Sequence, residues 1–161
     1  MKNWTNKDAE NRVRLFLDKM KDSPEGGIER LISKEFLACS VEESWMDYTI
    51  TIPRASENRI GTANGGYLAS IADEGMGYAF SALNGDEAVR PVTMDYQIST
   101  IRTLFPGQTV RMRCTVEHVG KRTALCHAYI YDGDKLCVLA TENFALISSD
   151  AIRTADWYQE S

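Results

Sequence analysis

Between Asn64 and Leu83 lies one segment that is apolar around most of a helix circumference, and no other feature constrains the fold as much. Tyr67, Leu68, Ile71, Ala72, Met76, Tyr78, Ala79 and Phe80 leave no wide polar face, the pattern of a helix covered on several sides. Such a helix is about 30 Å long at 1.5 Å per residue. After Asn84-Gly85-Asp86 the apolar period changes to 2. Val110, Met112, Cys114 and Val116 alternate with Arg111, Arg113, Thr115 and Glu117. Further strands are predicted through Val92–Ile101, Thr123–Tyr131 and Leu136–Leu146, with hairpin turns at Val119-Gly120-Lys121-Arg122 and Asp132-Gly133-Asp134. Ahead of the helix, Phe36 to Ile52 holds two strand-like stretches broken at Glu42-Glu43-Ser44. In the second, Met46, Tyr48, Ile50 and Ile52 alternate with Asp47, Thr49 and Thr51. Two short strands, one long helix and four more strands predict an α+β fold, an antiparallel sheet wrapped around one long central helix.

The 161 residues suit one domain, and 43% hydrophobic with 25% charged residues is a globular balance. With 18 basic and 23 acidic residues the net charge is −5, which argues against nucleic acid as the main partner. Cys39, Cys114, Cys126 and Cys137 have no C-x-x-C spacing, and His118 and His127 are the only histidines, so no zinc or other metal site is expected. The polar start MKNWTNKDAENRVR has no signal-peptide core, and no apolar run reaches the ~18–20 residues of a membrane span. With four cysteines, this predicts a cytoplasmic protein that does not enter a membrane. Thr5 is placed to cap a helix bearing Val13, Phe16, Leu17 and Met20. That helix stops by Ser23-Pro24, Glu25-Gly26-Gly27 is a turn, and a short helical piece covers Ile28–Ile32. The expected division is a helical extension over 1–33, the main domain over 34–150 and a tail over 151–161. The extension is either a lid or a packing element.

Chemistry is concentrated at the central helix. Gly65 and Gly66 expose unpaired N–H groups at its positive end, where an anion or a developing oxyanion can be held; the same glycines also suit a tight loop-to-helix turn. Asp73 is an acid among apolar neighbours and suits a general base. At about 100° per residue, Asp73 falls on one border of the buried stripe, beside Met76 and Phe80. Glu74 falls on the opposite border, and angle alone does not separate them. Gly75 and Gly77 are read as sites of close approach to the strands. His118 and His127 are read as structural. Trp4, Trp45 and Trp157 are scattered and form no platform for bases.

Asn58-x-x-Gly61-Thr62-x-Asn64-Gly65-Gly66, followed by Asp73, Val92-Thr93-x-Asp95, Phe105-Pro106-Gly107, Val119-Gly120-Lys121 and Ala140-Thr141-Glu142-Asn143-Phe144, resembles the hotdog-fold acyl-CoA thioesterases of the PaaI type over roughly Phe36 to Ile147. The resemblance implies a hotdog fold and hydrolysis of an acyl-CoA substrate without cofactor or metal. It places an oxyanion-hole N–H on Gly65 and the nucleophile or general base on Asp73 rather than Glu74. Asn58 would place the thioester or water, and Thr93 would orient the attacking water. Asn64 and Gly66 would line the substrate site, and Lys121 and Arg122, with Arg102 near, would meet coenzyme A phosphates. The last three also read as solvated charges. One departure matters: Asn64 stands where the family has His, and it caps a helix well but cannot carry a proton as imidazolium does. This departure keeps a non-catalytic acyl-CoA-binding module open as the alternative. An acyl-thioester dehydratase fits poorly, since the histidines fall on late strands. Gly65 and Asp73 are separated by about 12 Å of rise and ~80° of rotation. One straight helix can hardly bring both to one carbonyl, whereas a two-fold homodimer, or a dimer of dimers, can.

Overall fold

A computed structural model describes residues 4–21 and 31–153 of the chain. The elements run α1 (Asn6–Lys21), β1 (Glu35–Ser40), β2 (Trp45–Thr51), a 3-10 turn (Arg54–Ser56), α2 (Gly65–Asn84), β3 (Val89–Thr100), β4 (Thr109–Val119), β5 (Thr123–Asp132), β6 (Lys135–Ser148) and α3 (Ser149–Arg153). The six strands form one sheet in the order β1-β2-β4-β5-β6-β3, every neighbouring pair antiparallel. The hairpins arise where tight turns were predicted, and Gly133 supplies the positive φ of +56° that the β5–β6 turn needs. β3 departs from simple succession. It leaves α2, crosses to the far side of the sheet and pairs with β6 from Val89↔Ser148 to Thr100↔Val138.

Helix α2 lies across one face of this sheet and packs against β2 through β6. Leu68, Ile71, Ala72, Met76, Ala79 and Phe80 are buried against Met46, Tyr48, Met112, Ala128 and Phe144. Close approach holds at Gly75, where a Cβ would overlap Met112 Cε and stand 3.1 Å from Cys114 Sγ, and Tyr48 Oη donates to the Gly75 carbonyl at 3.2 Å. It does not hold at Gly77. A Cβ there would meet nothing within 4 Å, because Gly77 opens onto a cavity rather than a strand.

Alternation along β2 is broken by Asp47, which is only 4% exposed although it points away from the helix. Cross-strand register puts Arg113 opposite it, and Arg113 Nε and Nη2 each reach a carboxylate oxygen at 2.7 Å. Arg111 Nη1 adds a third contact at 3.2 Å, and the two guanidinium groups stack over Tyr131 and Trp45. A charge is buried on the outer face because its partners cover it.

Helix α1 begins as expected. Asp8 Oδ2 accepts from Thr5 N–H and Oγ1 while Asp8 N–H donates back to Thr5 Oγ1. It packs on α2 and β1 through Ala9, Val13, Leu17 and Met20. The stop at Ser23-Pro24, the Gly26-Gly27 turn and the first residues of the piece Ile28–Ile32 lie outside the described residues, as does Trp157. Among the described residues no helix is long and apolar enough to cross a membrane.

Candidate active site

At the start of α2, Asn64 is the N-cap, with extended backbone and an Oδ1 that accepts from Gly66 N–H at 2.7 Å. The loop leading in is anchored by Asn64 N–H to Ser56 O at 2.8 Å and Ala63 N–H to Leu104 O at 2.9 Å. Asn58 organises the turn before it. Its Oδ1 accepts from the N–H groups of Ile60 and Thr62, and its Nδ2 donates to Thr62 Oγ1 at 2.7 Å. In this chain Asn58 therefore holds the loop that delivers the two glycines. Gly66 N–H is taken by the cap. Gly65, in the first helical position, has no acceptor for its N–H within the helix and opens onto free space. Of the two glycines, Gly65 is the one whose N–H can serve a ligand. A cavity of about 270 Å³ beside it is lined by Asn64, Gly66, Tyr67 and Ser70. The Tyr67 hydroxyl is buried there without a partner among the described residues, and burial pushes its pKa up to about 12.

The middle of α2 borders a second cavity, of about 370 Å³, lined by Asp73, Glu74, Gly77, Arg90, Thr93 and, from α1, Phe16. Helix α1 walls the cavity here: the Phe16 ring stands 5.4 Å from that of Tyr78. Thr93 Oγ1 donates to Asp73 Oδ1 at 3.0 Å. Asp73 and Glu74 both line this cavity, although their angles set them on opposite borders of the buried stripe. The two acids differ in their partners: Asp73 receives the Thr93 hydroxyl, whereas Glu74 Oε2 is buried with no partner among the described residues.

Two ionisable groups near this cavity escaped the sequence reading. Glu142 on β6 is 0% exposed, and burial together with the neighbouring Asp73 pushes its carboxyl up to about 9. Period 2 along Ala140, Glu142 and Phe144 was the signal that could have found it. Lys34, just before β1, is 4% exposed; burial pushes its ammonium down to about 8, opposed by Glu74, Cys114 and Asp73. Its Nζ sits 5.1 Å from the Tyr78 ring centre, and no periodicity marks it.

Lys121 and Arg122 are exposed at the β4–β5 turn, closed by Gly120 N–H to Thr123 O at 2.8 Å. Arg102 is instead directed to the Leu136 carbonyl. His127 is paired with Thr141 Oγ1 at 2.9 Å, and His118 is exposed on β4. Within one chain the structure therefore unites Asp73 with Thr93, and Asn58 with Asn64, Gly65 and Gly66. It keeps those two groups apart, with the basic turn as a third.

Residues 60–138, which carry the helix start, the helix acid and most of the sheet, match the family model described as Thioesterase superfamily. Over that stretch the chain is similar to the thioesterase superfamily. Its fold is that of the hotdog thioesterases. A Pseudomonas aeruginosa protein named as an inferred esterase is 30% identical to this chain over 89 residues, which span 55% of this chain and 66% of that protein, just under two thirds of its length. The Escherichia coli PaaI protein from the phenylacetic acid degradation operon is 19% identical, with a TM-score of 0.72 over 89% of this chain and 96% of that one. A Streptococcus mutans protein bound to acetyl CoA is 18% identical, with a TM-score of 0.64 over 72% of this chain and 90% of that one. At these identities the two structures are alike in fold.

Proposed function

We propose that this chain hydrolyses acyl-CoA thioesters to a free acid and coenzyme A. The observation that carries the reading is the Asp73–Thr93 pair. Of the two adjacent carboxylates on a largely apolar helix, Asp73 is the one held at 3.0 Å by a hydroxyl, and it opens into a cavity of about 370 Å³. Asp73 takes a proton from water as it attacks the thioester carbonyl, Thr93 orients that water, and the CoA thiolate leaves and is protonated. In the other order, the carboxylate attacks first and water then cleaves the resulting anhydride. Either way the carbonyl oxygen gains negative charge, and an N–H such as that of Gly65 at a helix start is suited to hold it.

Two subunits would complete the site. β3 is a sheet edge of 12 residues with Met94 59% exposed, and an edge of that length invites pairing with a second copy. Asn58, Asn64, Gly65 and Gly66 would come from one chain, and Asp73 and Thr93 from its partner. Lys121 and Arg122 would meet the CoA phosphates, in keeping with the acetyl CoA bound by the Streptococcus mutans protein of the same fold.

A non-catalytic acyl-CoA-binding module is the second reading, favoured by one observation. Asn64 has its side-chain oxygen committed to the helix cap and carries no proton to shuttle. A panel of acyl-CoA thioesters, assayed for thiol release and binding in parallel, separates the two. Turnover that Asp73→Asn abolishes supports the enzyme; tight binding without turnover supports the module.

A further inference from the structure

Along β6, Ala140, Glu142 and Phe144 share the face turned to α2, so a carboxyl stands in line with two buried apolar side chains. Glu142 is 0% exposed, and neither of its oxygens receives a hydrogen bond from a described residue. Strand register pairs Phe144, its neighbour on that face, with Thr93, whose hydroxyl holds Asp73, so Glu142, Thr93 and Asp73 gather between the sheet and α2. Thr93 has one hydroxyl proton, and that proton is directed to Asp73. The other titratable groups whose charge bears on Glu142 are Asp95 and Tyr96 from β3, Cys114 from β4 and Cys126 from β5, and none of these is cationic. Lys34, the buried cation of this region, faces Glu74 and Asp73 and donates to the Ile32 carbonyl at 3.4 Å. An anion here would have two buried acceptors and neither donor nor counter-charge, which is costly. Protonation removes the charge and turns one oxygen into a donor, which the carboxylate of Asp73 can accept.

We propose that Glu142 is the positioning acid of Asp73: it keeps its proton, donates it to the Asp73 carboxylate, and with Thr93 fixes the direction in which the free lone pairs face the cavity. The inference rests on the thioesterase reading for the role of Asp73, whereas the pair itself does not depend on the substrate. Two carboxyls that share a proton titrate as a unit. Loss of the shared proton would put a second negative charge beside the first, at a pH set by burial and by Asp73, near the value of about 9 to which Glu142 is pushed.

Two readouts test this. In the full chain with isotope-labelled glutamate carboxyls, infrared or carbon NMR titration should show one glutamate still protonated at neutral pH, and Glu142→Gln should remove that signal. In hydrolysis, kcat/KM should fall on the alkaline side in the parent protein, and that limb should vanish in Glu142→Gln. Glu142→Ala should lose roughly ten-fold in turnover, an order below what a general base itself supplies, and Gln should rescue most of the loss. Glutamates that are all ionised at neutral pH in the folded parent protein would overturn the proposal. So would an alkaline limb that persists unchanged in Glu142→Gln. If no thioester is turned over, the thioesterase reading fails by itself, and the carboxyl titration still decides whether the pair exists.

Discussion

Asp73 and Glu74 border one cavity, yet a hydroxyl donates only to the first, so the two acids should respond unequally to loss of charge. Asp73→Asn keeps the shape and removes the base or nucleophile; turnover of an acyl-CoA should fall at least ~100-fold with circular dichroism unchanged. Glu74→Gln should cost far less, and the reverse order would assign the chemistry to Glu74. Asn64→His exchanges one polar side chain for another at the helix start. Loss of the Asn64 cap on Gly66 costs about 1 kcal/mol, and turnover should be kept or raised. Glu142 also sets a pH dependence of stability. Its carboxyl rises from an ordinary 4.5 to about 9 on folding, so across that interval the folded chain holds a proton the unfolded chain has released. Its contribution is therefore full below about pH 4.5 and is lost as pH rises through about 9. Thermal melts of the parent protein and Glu142→Gln should show this directly: the melting temperature of the parent, relative to the variant, should decline between those limits.

At the scale of elements, the two glycines in the middle of α2 predict opposite outcomes. Gly75→Ala forces a methyl into Met112 and Cys114, and overpacking of that kind costs about 1–3 kcal/mol in urea unfolding. Gly77→Ala meets open space and gains up to about 1 kcal/mol of helix propensity, while narrowing the cavity that Gly77 lines. The elements were legible in the sequence because their signals are local. The apolar circumference of α2, the alternation of Val110, Met112 and Cys114, and the Gly133 turn each need only a few neighbours to be read. Pairings across the chain were not legible. Nothing near β3 states that it joins β6, and Asp47 reads as a solvent-facing residue until strand register brings Arg113 over it. The candidate site divides the same way. Asp73 and Gly65 stand out by type and place on one helix, whereas Glu142 and Lys34 gain significance only when sheet and helix meet. The Phe16 wall likewise depends on where α1 comes to rest.

The whole molecule is where the separated groups must come together. If Lys121 and Arg122 hold nucleotide phosphates, replacing both with Ala should raise KM for acyl-CoA and weaken its salt dependence, with kcat little changed. Short thioesters lacking the nucleotide should be unaffected. The shared site makes the sharper demand. Gly65 and Asp73 lie about 12 Å apart along one straight helix, and a reacting carbonyl needs a donor and an attacking group each within ~3 Å. Two inactive variants, Asp73→Asn and Gly65→Pro, test whether the partner subunit closes that gap. Proline suits the position: Gly65 is the first helical residue, it is not among the positive-φ glycines, and Asn64 before it is extended at ψ 136°. The substitution therefore deletes the free N–H while leaving the helix start in place. In a mixture with verified exchange, half of the dimers are hybrids, and each hybrid pairs one intact Gly65 with the intact Asp73 of the other chain. About a quarter of all sites should regain activity. A site built within one chain gives no recovery, because every subunit then carries one lesion in its own site.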